Sequence, residues 1–384
     1  MKFLSLLGIG ALSILSTFVA NWIALAPWRK TRKLHWTEQA RTYYPARVGA
    51  VGLLWIAPAA FALGAEVLLS DEAPHWAMVA IVASWGAAIG TLPMDREVFP
   101  RIPLARLMRE AATSWLTRFL MWFVLVGAAA LMPETFGWPG ILIAAIVLVL
   151  LVTWNLGGWI FFFKKIGVMI PAPPRLQQIV DQTAASMNVG VTETLLMRSS
   201  LAQAFAIPGT KQLLFTERLL EILSDEEIGS VCAHELGHLM EKRSQYLQRH
   251  VIWLMFFPWI FISPLCHTFG TFGFFGLLIL TWLVPPISRN ISHALEKKAD
   301  QFAIEHQNNP RTYARALTKL YEDGLFPAVS PKNQRTHPHL YDRLIEAGVT
   351  PDFPRPAAAS SLALQTLFFS LLVGIFAAQL LFRN

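Results

Sequence analysis

Residues 224–239 read Ser224-Asp-Glu-Glu-Ile-Gly-Ser-Val-Cys-Ala-His234-Glu235-Leu-Gly-His238-Leu239. Ser224 with Glu227 three residues on is a capping box, which starts a helix. The pattern predicts that this helix runs on to about His250. Within it His234 and His238 are four apart and share a face, so both imidazoles can reach one metal ion. Glu235, beside the first histidine, can reach a water held by that ion but not easily the ion itself. The division of labour suits hydrolysis: zinc brings the pKa of its water towards 7, and a carboxylate accepts the proton.

On either side of this stretch the chain is strongly apolar. Apolar residues make up 54% of the 384 and charged residues 15%, against about 25% charged in an ordinary soluble domain. That composition excludes a purely soluble fold and intrinsic disorder. Five stretches in the N-terminal part approach or exceed the length of about 20 residues that crosses a bilayer: Phe3–Ala26, Val48–Leu69, His75–Leu92, Trp115–Met132 and Trp138–Phe163. The connections between them are unequal in charge. Arg29, Lys30, Arg32, Lys33, Arg41 and Arg47 fill the first, Arg96, Arg101, Arg106 and Arg109 the third, and Lys164-Lys165 follow the fifth span, whereas Ser70–Pro74 and Pro133–Gly137 hold no Lys or Arg. The positive-inside rule therefore puts the first, third and fifth connections in the cytoplasm and the N-terminus outside. Ala24-Leu25-Ala26 resembles a signal-peptidase site, but the single Lys2 ahead of the apolar run and the basic cluster directly behind it read as a retained span. The net charge of +7 sits beside the apolar runs, where it orients a membrane protein and implies no nucleic-acid partner. Cys232 and Cys266 are the two cysteines, so no disulfide framework is expected, and Cys232, on another helical face from His234, reads as a buried thiol.

From Pro171 the prolines at 171, 173 and 174 break the helical pattern. Arg175 to Asn188 then reads as an amphipathic helix with Leu176, Ile179, Val180 and Met187 on one face. Val191–Met197, Gln203–Ile207 and Leu213–Phe215 read as strands, with a turn at Pro208-Gly209, and Thr216 can cap a helix through Leu223. Apolar character returns over Val251–Ile287, divided at Gly270–Gly273 into a hairpin. A soluble stretch follows, with helices around Glu296 and from Asn309-Pro310, and Ser361–Phe382 is a last apolar helix. The expected organisation is a membrane region over 1–170, a first catalytic part over 171–250, a membrane hairpin over 251–287, a second catalytic part over 288–357 and a C-terminal membrane helix over 358–384. The fold class is mainly α, a multi-pass membrane protein of about eight spans, with a small α+β zincin-type domain split by the hairpin.

A catalytic zinc takes three protein ligands and keeps one position open. On the helix expected over Ser288–Gln307, Glu296 and Asp300 are again four apart. Glu296 suits a ligand, and Asp300 a hydrogen bond to a ligating imidazole. The plainer reading is a solvated acidic face balanced by Lys297 and Lys298, and His293, one turn earlier, competes as third ligand.

His234-Glu-x-x-His238 followed beyond an apolar hairpin by Glu296-x-x-x-Asp300 resembles the HtpX-like and CAAX prenyl protease 1-type integral-membrane zinc metallopeptidases. Ala204-Phe205-Ala206-Ile207-Pro208-Gly209 resembles the strand ahead of that family's zinc helix, and Leu213-Leu214-Phe215-Thr216 with Leu219-Leu220 its strand-to-helix step. Thr336-His337-Pro338 with Arg343 resembles its downstream element. The likeness covers roughly Arg175 to Gly348. It implies a gluzincin endopeptidase with one zinc on His234, His238 and Glu296, Glu235 as general base, His337 stabilising the oxyanion, and Asp300 and Arg343 in support. Gln203, Ala204 and Phe205 would lie along the substrate. Gln203 stands where the family has Asn, although either amide can donate and accept the same bonds.

The resemblance further implies polypeptide substrates, the bilayer as surroundings, a bacterial inner-membrane location with the site facing the cytoplasm, and a part in membrane-protein quality control. Processing of lipidated peptides is the alternative on the eukaryotic side of the family. A scaffold or sensor that keeps the fold without catalysis would be expected to lose the glutamate between the histidines, and Glu235 is present. A transporter would place ionisable groups at mid-membrane, whereas here they cluster outside the spans.

Overall fold

The computed structural model describes residues 2–70, 73–241, 256–283, 296–305, 310–331 and 338–382. The chain is mostly helical with one small sheet, and it divides into two compact units. The first comprises residues 1–116, 325–334 and 355–384, the second residues 117–324 and 335–354.

In the first unit, α1 (Lys2–Ala24) packs on α4 (Trp76–Val98), and α3 (Trp36–Leu69) packs on both α4 and the C-terminal helix α16 (Leu364–Leu381), with the short α2 (Ala26–Thr31) beside α3. Between lipid-solvated helices apolar burial gives little net attraction, so small residues and polar bonds hold the contacts. Ser13, Thr17 and Asn21 repeat every four residues along α1 and are buried. The Ser13 hydroxyl donates to the Ala83 carbonyl at 2.7 Å and the Asn21 amide to Thr91 Oγ1 at 3.1 Å. A Cβ at Gly90 would come within 2.6 Å of the Ile14 carbonyl oxygen, so only glycine allows this approach. Gln365 of α16 donates to the Ala46 carbonyl of α3 at 3.0 Å.

Apolarity marks spans but not the ends of helices. α3 begins at Trp36, well ahead of the apolar stretch from Val48, and α5 (Leu104–Leu131) begins ahead of Trp115. His35 Nδ1 caps α3 by accepting from the Thr37 amide, and the pairs Arg41–Glu38 and Arg106–Glu110 support the extra turns. Much of the positive charge expected in connecting loops is therefore carried on helices. Among the described residues five helices are long and apolar enough to cross a membrane, while Thr271–Thr281 and Leu364–Leu380 are apolar but shorter.

The second unit continues through α6 (Trp138–Thr153), a π-helical turn (Trp154–Gly158) and α7 (Trp159–Lys165) into the sheet. The strands β1 (Met169–Pro171), β2 (Glu193–Met197), β3 (Ala204–Ile207) and β4 (Gln212–Thr216) lie in the order β1-β2-β4-β3. The β2–β4 pair is parallel and the outer pairs are antiparallel. β1 was not anticipated: its three residues end in a proline, which is tolerated only at a strand's edge or end. Period-two alternation gives the sheet two apolar faces. Leu195, Leu214 and Ile207 pack on Ile160 and Phe163 of α7. Leu196, Leu213 and Phe215 face the core made with α8 (Pro174–Met187) and α10 (Asp225–Leu239). The short α9 (Glu217–Ile222) is capped by Thr216, whose hydroxyl accepts from the Leu219 amide.

The capping box forms as expected: the Ser224 amide donates to Glu227 Oε2 at 2.9 Å and the Glu227 amide to Ser224 Oγ at 3.4 Å. The length does not. α10 ends at Leu239 rather than near His250, because the Met240 amide is shared between the Leu236 and Gly237 carbonyls and the Glu241 amide turns to the His238 carbonyl. This tightened last turn carries the Glu241 side chain back beneath His238. Residues 242–250 lie outside the described set. The apolar hairpin appears as α11 (Ile262–Phe269) and α12 (Thr271–Leu283) turning at Gly270, with Trp259 Nε1 donating to Thr281 Oγ1 at 2.8 Å. A helix over 296–305 (α13), α14 (Pro310–Asp323) and α15 (Leu340–Glu346) complete the unit.

Candidate metal centre

His234 and His238 project from the last turns of α10, and Glu296 opens the described part of α13. All three are buried, and one donor atom from each lies within 4.8 Å of the others. Glu296 Oε2 is 3.7 Å from His234 Nε2, and its Oε1 is 3.6 Å from His238 Nε2. The two rings stand nearly perpendicular, at 87°. Tetrahedral zinc with bonds of about 2.0–2.1 Å separates adjacent donors by roughly 3.3 Å, so three donors at this spacing suit one such ion. No solvated acidic face exists here: Glu296 and Asp300 are buried, while Lys297 pairs with Glu346 and Lys298 lies over the Phe302 ring.

The Nδ1 atoms of both rings are engaged by protein, which leaves Nε2 for the metal. His238 Nδ1 is 2.6 Å from Glu241 Oε1. His234 Nδ1 is 3.0 Å from Asp300 Oδ1 and 2.9 Å from the Tyr313 hydroxyl. That hydroxyl donates to Asp300 Oδ1 at 2.6 Å and accepts from Arg343 Nη2 at 2.8 Å. Arg343 also holds both Asp300 oxygens, Nε to Oδ2 at 2.8 Å and Nη2 to Oδ1 at 2.6 Å. Such partners fix the ring orientation and tautomer of a ligating histidine.

The electrostatics follow from this geometry. Burial alone would raise the Asp300 carboxyl, but the Arg343 guanidinium and His234 hold it well below the usual carboxylate range. Burial pushes the Tyr313 hydroxyl well above its ordinary value, so it keeps its proton for Asp300. Burial would lower the His238 imidazolium, yet the Glu241 hydrogen bond and the charges of Glu235 and Glu296 outweigh it and lift the group. A ligating imidazole must be neutral, so protons compete with a metal here.

Glu235, also buried, lies beside His234 on α10. Gly237 lets the two ligand-bearing helices meet, since a Cβ there would be 3.2 Å from both Ala299 Cα and Phe302 Cδ2. Cys232 is a buried thiol that burial pushes up, on the core side of α10. Gln203 precedes β3, its amide donating to Thr216 Oγ1 at 2.9 Å and its carbonyl accepting from the Thr216 amide at 3.1 Å. Ala204 and Phe205 begin β3, which lies against α10 at the sheet's edge. His337 and the competing His293 lie outside the described residues.

Two residues of this cluster were missed. Glu241 was readable, because a carboxylate three residues after His238 on a helix reaches the same face. Tyr313 gave no local signal, since it arrives from a separate helix with nothing in its surroundings to mark it.

Residues 172–348 match the sequence model of peptidase family M48. Similar curated proteins include the protease HtpX homolog of Syntrophobacter fumaroxidans, 28% identical over 202 residues that cover 46% of this chain and 71% of that protein. The protease HtpX homolog of Aquifex aeolicus is 27% identical over 169 residues, 39% of this chain and 56% of that protein. The CAAX prenyl protease 1 homolog of Oryza sativa subsp. japonica is 28% identical over 197 residues, 44% of this chain and 46% of that protein.

Proposed function

We propose that this protein, whose residues 172–348 match the sequence model of peptidase family M48 and whose described residues include five membrane-length helices, is a membrane-embedded zinc endopeptidase acting on membrane or membrane-associated polypeptides. The observation that carries the reading is the buried His234–His238–Glu296 cluster, with Nδ1 of both histidines tied to carboxylates and Glu235 adjacent. Zinc in that cluster supplies Lewis acidity, which activates water near neutral pH and polarises a peptide carbonyl. The substrate lies as an added strand along β3, past Gln203, Ala204 and Phe205. Glu235 takes a proton from the attacking water, whose oxygen bonds to the scissile carbonyl carbon. As the C–N bond breaks, Glu235 returns the proton to the leaving amine. Asp300, Arg343, Tyr313 and Glu241 hold the imidazoles, and His337 serves the developing oxyanion.

The location is a bacterial cell membrane with the site on the cytoplasmic face, and the cellular role is quality control of membrane proteins. The loop charges support the orientation and the named protease HtpX homologues the bacterial setting, while the quality-control role rests on the resemblance drawn from the sequence. The test is metal analysis of the purified protein with an unbiased peptide-cleavage profile before and after chelation. One zinc per chain, with cleavage lost on chelation and restored by zinc, supports the reading. Cleavage indifferent to chelation, or a full-length protein that takes up no zinc, overturns it.

A further inference from the structure

Arg343 comes to the metal centre on a stretch of chain that begins and ends in the other unit. Residues 325–334 and 355–384 belong to the first unit, and residues 335–354 to the second. Within the second unit, α15 buries Leu340 and Leu344 and holds Arg343 on Asp300 and Tyr313, behind His234. Phe353 closes the turn that follows α15, buried with its ring 6.1 Å from that of Tyr341. Beyond it the chain enters the first unit, where the Ala359 amide donates to the Val329 carbonyl at 3.1 Å.

Both flanks of this stretch are footed on one turn of α3, a membrane-length helix. Ahead of it, Leu325 packs on the core of Trp28, Tyr43 and Phe99, and the Arg47 guanidinium lies 4.2 Å from the centre of the Phe326 ring. Behind it, Gln365 at the start of α16 donates to the carbonyl of Ala46, the residue before Arg47. The connection from α15 to this footing is stiff. Pro354 and Pro356 lock their own φ, and each confines the residue ahead of it, Phe353 and Arg355, to extended backbone. Such a Pro-rich run is a semi-rigid spacer of about 3.1 Å per residue. It passes a displacement on, where a Gly/Ser-rich run would absorb it.

We propose that the Ala46–Arg47 turn of α3 positions Arg343 through this proline strut, so that the grip on the metal depends on a membrane-length helix of the other unit. Arg343 holds both Asp300 oxygens and the Tyr313 hydroxyl, and those two groups orient the His234 ring. A slack strut lets Arg343 draw back, and the ring then loses the partners that aim its Nε2. Phe326, Pro354 and Pro356 act on the site only through Arg343, as positioning residues. The inference rests on the peptidase reading above in taking zinc as the ion of the His234–His238–Glu296 cluster.

The test is zinc retention by the full chain against a competing chelator. A Gly-Ser-Gly-Ser insertion between Pro354 and Arg355 slackens the strut and removes no side chain. Zinc should then be lost about tenfold more readily, the lower end of the cost of a bond behind a ligand. Phe326→Leu keeps apolar bulk but removes the ring face under Arg47, and it should shift the curve in the same direction; it decides the matter if the insertion does not fold. The same insertion between Lys33 and Leu34, in the exposed turn between α2 and α3, should leave retention at the wild-type level. In an Arg343→Gln background the strut insertion should add less than about twofold, because members of one network do not add. An insertion that merely destabilises costs the same with or without Arg343. Wild-type retention by both strut variants, equal cost in the two backgrounds, or equal loss from the control insertion overturns the proposal and leaves the peptidase reading intact. A wild-type chain that takes up no zinc overturns that reading, and the positioning role with it.

Discussion

At His234 the ring is held by two groups at once, Asp300 and the Tyr313 hydroxyl, which Arg343 joins into one buried network. Tyr313→Phe keeps the bulk of the ring and removes the hydroxyl, leaving the Asp300 contact alone. Zinc should then be lost to a competing chelator about 10–100-fold more readily, the usual cost of losing a bond behind a ligand, with the fold kept. A chelator competition curve that superimposes on wild type would remove Tyr313 from the account. At this scale the legible part was what lies within one helix: His234, Glu235 and His238 by spacing, and Glu296 with Asp300 by the same four-residue step. Arg343 was suggested only by resemblance, and Tyr313 not at all, because contacts across helices leave no periodic trace in one sequence.

Between elements, the approach of α10 to α13 depends on Gly237. A methyl group there needs its neighbours to give by a few tenths of an ångström. The branched side chain of Gly237→Val cannot fit without pushing the Glu296 helix away. Bound zinc after gel filtration at a fixed chelator concentration should therefore fall from wild type to Gly237→Ala and further to Gly237→Val. Zinc retained fully by Gly237→Val would contradict this role. A second contact joins α10 to α14: Glu227, buried at the start of α10, accepts from Lys319 at 2.7 Å, with Arg315 3.6 Å away. Burial would raise this carboxyl, but Lys319 and the Ser224 amide outweigh it and hold it below its ordinary value. A depressed folded pKa gives stability that is present above the unfolded value, about 4.3, and is lost as pH falls through the folded one. The gap in melting temperature between wild type and Glu227→Gln should be constant near neutrality and close progressively below about pH 4.5. A gap that widens on acidification would refute the assignment. Helix starts were legible through their caps, whereas the early end of α10 was not, since its turn at Met240 and Glu241 carries neither glycine nor proline.

For the molecule as a whole, the chain ends meet in one unit, with α16 against α3 through Gln365. Nothing in the local pattern could show that, because hydropathy reports that a helix prefers lipid but not which helix it packs against. Orientation, by contrast, is argued from loop charge. Single-cysteine variants at the exposed Glu134 and Gln182 should label with opposite sidedness in intact cells, Glu134→Cys from outside and Gln182→Cys only after permeabilisation. Labelling of Gln182→Cys by an impermeant reagent in intact cells would reverse the topology. The central claim is that Glu235 works as a base beside a bound zinc. Glutamine nearly matches its shape but cannot take the proton, and a general base contributes about 10²–10⁴-fold. The most direct measurement is turnover of one membrane-anchored substrate by wild type and Glu235→Gln in the same liposomes, with bound zinc quantified in both. The account predicts equal zinc and at least a hundredfold slower cleavage by the variant. Equal cleavage at equal zinc would contradict it and leave a metal-binding scaffold.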